Sequence, residues 1–328
     1  MPNCKPSEIF VIGGTGSQGL PVVRGLVADG KYHCKVLTRD ANSSGAQELA
    51  HLPNVSLMEG TFANEETLRA GFSECDGAFV NMNGFNTGEK TEMFWAIRSY
   101  EIALESRIKF FVYGNLDYIL QQNKENAQKM GAELFTTGPY IEISIAIGTP
   151  MTPTVEDRIA TWRDCAQYVR WLFDHQDRAN GLDLEAAIAH IGYEDLASAF
   201  ETVTGYSARY IDTDFESYWK SGSLSSIRER PNGYNADPVD MGMMTARENF
   251  TGFWNIWRAS GQNKSFIRRD YALLDEIYPG RIKSAEEWFR KEEERGIRQG
   301  LGGLWERIQE GNLKPAIKAF EDGFRGRL

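Results

Sequence analysis

The run Ile9–Leu26, IFVIGGTGSQGLPVVRGL, decides the fold. With Glu8 before it, the opening EIFVIGG is apolar and β-rich and ends in glycine, as a buried strand does. Gly14, Gly16 and Gly19 follow at G-x-G-x-x-G spacing, and Gly13 overlaps the pattern. Leu20, Val23, Leu26 and Val27 then recur at helical intervals. Pro21 falls in the first helical turn, where a missing N–H costs little, and Gly30 suits the helix end. A glycine triplet alone often marks only a tight turn. Strand, triplet, helix and second strand in that order is the pattern of a dinucleotide site, because helix-start amides face a pyrophosphate that side chains would block. Thr15, Ser17 and Gln18 line the same turn.

The second strand, CKVLTRD, ends about 20 residues beyond Gly19, where the ribose-reading residue sits in such sites. Thr38 and Arg39 stand there, followed by Asp40. A guanidinium can bond a 2′-phosphate bidentately, so the expected cofactor is NADP(H) in preference to NAD(H). The competing reading makes Arg39 a surface charge and gives the ribose hydroxyls of NAD to Asp40.

The βα rhythm continues through VSLMEGTF, GAFVNMN, IKFFVYGN and AELFTTGPY, with Asn64 placed to cap the helix EETLRAGF. Six strands alternating with helices predict an α/β fold, a Rossmann-like doubly wound parallel sheet. Ligands of such sheets bind at the strands' carboxyl ends, so Thr61, Phe62, Asn81, Met82, Asn83 and the turn Gly138, Pro139, Tyr140, Ile141 are expected to face the cofactor. The expected division is a nucleotide-binding domain over 1–150 and a smaller, mostly helical domain over 151–328, with 164–204 packing back on the sheet. Trp219, Trp254, Trp257, Trp288 and Trp305 of the second part are expected chiefly in a core.

The 328 residues carry a formal net charge of -10, which gives no general attraction to nucleic acid or an anionic membrane. Cys4, Cys34, Cys75 and Cys165 form no C-x-x-C pair and read as thiols of a reducing compartment. No stretch has the length of a membrane span, and the N-terminus lacks the build of a signal peptide. A cytoplasmic protein with a small-molecule partner and no metal is expected; His33, His51, His175 and His190 lack ligand spacing.

VIGGTGSQGLPVVRGL and LTRD, with FVYGNLDY, TTGPYIE and the long block ENFTGFWNIWRASGQNKSFIRRDYALLDEIYPGRIKSAEEWFR, resemble the NmrA-like family, fungal atypical short-chain dehydrogenase/reductases. The resemblance covers nearly the whole chain and implies bound NADP(H) or NAD(P). It leaves the activity open among reductases, redox sensors, transcriptional co-regulators and a non-redox cyclase of indole alkaloids. It places the phosphate turn at Gly13–Gly19, the 2′-phosphate reader at Arg39, the adenine side at Thr61 and Phe62, and the nicotinamide side at Asn81–Asn83 and Gly138–Ile141. Relatives often carry Asp on the adenine side, and a lysine where Phe94 or Trp95 stands here. The joins Tyr118–Ile119 and Arg163–Asp164 are shorter than the family pattern.

A short-chain dehydrogenase places Ser or Thr at the end of its fifth strand and a Tyr-x-x-x-Lys pair on the next helix, where the lysine lowers the tyrosine's pKa for proton transfer. Asn115 holds the serine's place here, and Gln122 follows Tyr118 by four residues. Tyr118 and Glu142 are the catalytic candidates, Glu142 because a carboxyl in an apolar run can act as a general acid. The expected function is an NADP(H)-binding enzyme of specialised metabolism. Its substrate would be a hydrophobic, nitrogen-containing small molecule, reduced at C=N or C=C or cyclised through an iminium without redox. The alternative is a redox-sensing regulator that binds a protein partner.

Overall fold

A computed structural model of the chain describes residues 7–116, 130–137, 156–159, 161–222, 224–233, 235, 243–258, 263–264 and 268–310, without the side chains of 85, 156–159, 162 and 256–258. Its centre is a parallel sheet of seven strands in the order β3-β2-β1-β4-β5-β6-β8. The strands are β1 (Ser7–Ile12), β2 (Tyr32–Thr38), β3 (Val55–Glu59), β4 (Gly77–Val80), β5 (Phe110–Leu116), β6 (Gly131–Thr137) and β8 (Asp183–Ala186). β7 (Glu156–Ile159) pairs antiparallel with β9 (Ala189–Gly192) away from that sheet. The expected six strands are therefore present, and a seventh joins them from the second half of the chain.

Continuous apolar strands demand cover on both faces. On one face α1 (Gly19–Val27) and α2 (Ser44–Ala50) lie beside α6 (Trp162–Asp174), enclosing Val11, Val36, Phe79, Val112, Phe135 and Leu172. On the other, α3 (Glu65–Phe72) and α5 (Glu89–Glu105), with the short turn α4 (Gly84–Thr87) before it, cover Phe10, Val80, Phe111 and Ile102. Asn64 caps α3 as expected, its side-chain oxygen accepting from the Thr67 amide at 2.8 Å. The join Arg163–Asp164 lies inside α6; Tyr118–Ile119 lies outside the described residues.

The order reverses between β1 and β4, the switch point where open α/β sheets leave a crevice. α6 seals one side of this half. A Cβ on Gly25 of α1 would lie 2.9 Å from the Ala166 carbonyl oxygen. Arg170 of α6 reaches Asp29 at 2.7 Å and Asp174 at 2.8 Å.

The return to the sheet ends at Ala186. A second core begins at Ile188 and gathers α7 (Tyr193–Thr204), α8 (Phe215–Ser221), α9 (Ala246–Arg258), α11 (Ala285–Arg298) and α12 (Leu304–Gln309), with α10 (Tyr271–Ile277) on the sheet side. α7, expected on the sheet as part of 164–204, packs against α11, because its buried face of Tyr193, Leu196 and Phe200 meets Trp288 and Phe289. Trp219, Trp254 and Trp288 are fully buried here, with Trp219 and Trp254 ring centroids 5.5 Å apart. These indoles are core, as expected. Among the described residues no helix is long and apolar enough to cross a membrane.

Candidate functional site

The chain leaves β1 through Gly13, whose φ of +80° suits glycine. A Cβ there would lie 2.2 Å from the Asn81 carbonyl oxygen. One on Gly14 would lie 2.7 Å from a Val36 methyl, and one on Gly19 2.1 Å from the Gly13 carbonyl oxygen. Three of the four glycines are thus required by the packing of β1, β2, β4 and α1 on one another. Gly16 differs. A Cβ on it would meet only the Gly13 carbonyl oxygen, at 3.3 Å, a contact that a shift of a few tenths of an ångström relieves.

The neighbouring strand ends converge on this turn. Thr38, buried, donates its hydroxyl to the Asp40 carbonyl at 3.0 Å, and Arg39 beside it is half-buried. The Asp40 carboxylate accepts from the Asn42 amide at 2.8 Å. Ser43 caps α2, accepting from the Ala46 amide at 3.4 Å. α2 in turn abuts the phosphate turn, since a Cβ on Gly45 would lie 2.7 Å from the Thr15 carbonyl oxygen. Beyond β3, Thr61 accepts from the Ala63 amide at 3.1 Å and Phe62 rests on the core. Beyond β4, the Asn81 amide donates to the Ile12 carbonyl at 3.1 Å. Its side-chain nitrogen donates to Gln18 Oε1 at 2.7 Å, and Gln18 Nε2 has no partner among the described residues. Met82 turns its side chain into the core, so only its backbone faces the crevice, while the Asn83 carbonyl accepts from the Asn86 and Thr87 amides.

Gly13–Gly19, Thr38, Arg39, Thr61, Phe62 and Asn81–Asn83 therefore share one edge, the carboxyl ends of β1, β2, β3 and β4. Gly138, Pro139, Tyr140 and Ile141 lie outside the described residues, as do Tyr118 and Glu142. The strands that lead to them end side by side, with Leu116 opposite Thr137.

Two acids at this edge escaped the sequence reading. Glu92, in the first turn of α5, accepts from the Tyr113 hydroxyl at 3.2 Å. Burial pushes its carboxyl up to about 7, against the lowering effect of that hydrogen bond and with a further push from Glu89. Burial and the adjacent Glu92 hold the Tyr113 hydroxyl above its ordinary range. Asp164 lines a narrow crevice at the ends of β6 and β8 with Thr137, Thr161, Cys165, Tyr168 and Ala186. Burial raises it to about 7, with Arg281 acting in the opposite direction. The buried Tyr168 hydroxyl has no partner among the described residues. Only pattern-breaking polarity marked these positions, and a glutamate in a first helical turn is commonplace. Asp214 caps α8 by accepting from the Ser217 amide at 2.8 Å. Among the described residues no group of three or more His, Cys, Asp or Glu side chains could hold a metal ion.

A parallel sheet, a reversal point and a glycine turn at that point define a dinucleotide-fold protein. Residues 5–142 match the family model described as NmrA-like family. The chain is 26% identical to the NmrA-like family domain-containing oxidoreductase lnaB of Aspergillus flavus, over 80% of this chain and 96% of that protein. It is 25% identical to the NmrA-like family domain-containing oxidoreductase hkm9 of Aspergillus hancockii, over 62% of this chain and 74% of that one. Its fold matches the crystal structure of NmrA, a negative transcriptional regulator, in complex with NADP, with a TM-score of 0.64 at 15% identity over 92% of this chain and 100% of the other. It also matches the Escherichia coli NADPH-dependent quinone oxidoreductase QOR2 complexed with NADPH, with a TM-score of 0.63 at 15% identity over 85% and 98% of the two chains.

Proposed function

We propose that this protein is an NADP(H)-binding oxidoreductase acting on a hydrophobic, nitrogen-containing small molecule at a C=N or C=C bond. The observation that carries the nucleotide is Gly16. Its neighbours in the motif are glycine because the chain leaves no room for anything else, whereas little in the chain requires glycine at Gly16. Close approach of a pyrophosphate supplies the missing requirement. Gln18 Nε2, which has no partner among the described residues, and the α1 N-terminus add donors on the same side.

Arg39 follows the end of β2 next to α2, where a 2′-phosphate on the adenosine ribose would meet a guanidinium. The bound nicotinamide would supply the hydride. The chain's part is to hold the dinucleotide along the ends of β1–β4 and to deliver a proton, for which Tyr118 and Glu142 are the candidates beyond the ends of β5 and β6. The oxidoreductase relatives support redox chemistry over a regulatory role, and fold likeness to the regulator NmrA does not favour either.

Calorimetry of Arg39→Glu tests the cofactor preference: NADPH affinity should fall at least tenfold more than NADH affinity, and equal losses would refute the role of Arg39. Incubating the protein with NADPH and cyclic imines or enones tests the chemistry. Loss of absorbance at 340 nm with a reduced product is the expected result. Product formed without cofactor oxidation would mean a cyclase with structural NADP(H). Tight NADPH binding with no turnover of any such compound would move the assignment to a redox-responsive regulator.

A further inference from the structure

α5 carries an apolar row on the side that faces away from the sheet. Ser99, Ile102 and Ala103 are its fully buried positions, and Arg98 reaches Glu65 of α3 at 2.6 Å, so the core lies beneath the helix and α3 beside it. Phe94 and Ile97 lie about half a turn from those buried positions and are 57% and 60% exposed. Met93, 50% exposed, widens the row beside Ile97, four residues on. Single exposed apolar side chains need no cause, but three on one ridge do. Neighbours within the helical layer flank this ridge. It is covered only by something laid over that layer.

The ridge also carries its own complement. Lys90, Phe94, Ile97 and Glu101 follow one another at intervals of four, three and four residues, the seam spacing of paired helices, and span about 16 Å. The row is symmetric about the point between Trp95 and Ala96. Two copies of α5 laid antiparallel about a twofold axis at that point bring each Phe94 onto the other copy's Ile97, and each Lys90 onto the other copy's Glu101. A parallel pair would oppose lysine to lysine and glutamate to glutamate. Lys90 is exposed, and the Glu101 side chain is 52% exposed although it also meets Arg98 of its own chain at 2.9 Å.

We propose that α5 is the contact surface of a homodimer, in which two antiparallel copies bury Phe94 and Ile97 at the centre and exchange Lys90–Glu101 ion pairs at both ends. Burial of the apolar row supplies the attraction. The charges fix the direction, because exposed ion pairs contribute little energy while like charges brought face to face select against the wrong register. One helix pair is a small interface, so the association depends on concentration and is not obligate. The inference is independent of the dinucleotide reading, since no residue of the ridge belongs to the glycine turn or to the strand ends around it.

Sedimentation velocity of the full chain between about 1 and about 100 µM tests this, with the mass expected to rise from 37.0 kDa toward twice that value. Ile97→Glu, at a position exposed in the single chain, should weaken association by about tenfold or more and leave the unfolding midpoint unchanged. Lys90→Glu and Glu101→Lys each place like charges at both ends of the pair, and each should weaken association about tenfold. Mixed in equal amounts, these two proteins should associate within about twofold of the wild type, because each then meets an opposite charge at both ends. Variants that had merely lost their fold would not be restored by mixing. A mass of 37.0 kDa at every concentration overturns the proposal and leaves the ridge to a different protein or to another segment of this chain. An association that survives Ile97→Glu overturns it too, as do single charge variants that mixing does not restore.

Discussion

The ends of β1–β4 and the second core are both rich in polar groups, but they use them differently. In the second core the buried Glu292 meets counter-charges from three elements. Glu292 of α11, 3% exposed, accepts from Arg307 at 2.9 Å, Arg163 at 3.0 Å and Arg295 at 3.1 Å, and Arg307 also donates to the Glu292 carbonyl. Burial works against the Glu292 charge, yet the hydrogen bonds from Arg295 and Arg307 outweigh it and hold the carboxyl below its usual range. At the glycine turn, Gln18 Nε2 has no described partner and Gly16 leaves space beside it. A cluster whose hydrogen-bonding capacity is used internally maintains structure. One with capacity unused at an accessible edge can bind something else.

Removing the acceptor at the centre of the internal network should have the largest effect. Glu292→Ala leaves Arg307, 1% exposed, without its counter-charge, and the expected loss is about 4 kcal/mol in denaturant unfolding. A loss under about 1 kcal/mol would mean that α6, α11 and α12 are not held by this network. Gly16→Val is the opposite experiment. It should lower NADPH and NADH affinity at least a hundredfold, about 2.7 kcal/mol, while the unfolding midpoint moves little, because the packing around Gly16 is open. Unchanged affinity would take Gly16 out of the site. A protein that unfolds would return Gly16 to the structural class of Gly13 and Gly19.

The same contrast explains what was legible in the sequence. Buried parallel strands are continuous apolar runs, and each ends in turn chemistry, so β1–β6 and the convergence of their ends could be read from EIFVIGG onward. β8 could not, because Asp-Leu-Glu-Ala carries two acids in four residues and pairs at the sheet's edge with only Leu184 and Ala186 buried. Glu92 was invisible for a related reason. Met93, Phe94 and Ile97 are exposed while Ile102 and Ala103 are buried, so α5 lacks the clean apolar stripe that would have shown Glu92 turned toward Gly84. The tryptophans were legible as core, but that Arg163 and Arg307 would meet on one glutamate depends on contacts separated by 129 and 15 residues, which no local pattern records.

Glu133 sharpens the comparison, because it has unused capacity but no access. It lies on β6 opposite Val112, 5% exposed, and neither carboxyl oxygen has a partner among the described residues. Burial alone pushes it up to about 9, from an ordinary 4.5. The folded protein therefore keeps this proton up to about pH 9, while the unfolded chain releases it from about 4.5 upward. Below about 4.5 both states hold the proton and the group adds no pH dependence; between the two values stability falls as pH rises, and above the upper one it is constant. Glu133→Gln has nearly the same shape and does not titrate, so its stability relative to the wild type should improve by about 2 kcal/mol between pH 4.5 and pH 6.5. Parallel denaturation midpoints at the two pH values measure this directly. A constant offset between the proteins would mean that the Glu133 carboxylate finds a counter-group or water in the folded state, and an acid at the base of the sheet would then belong with the compensated charges of the second core.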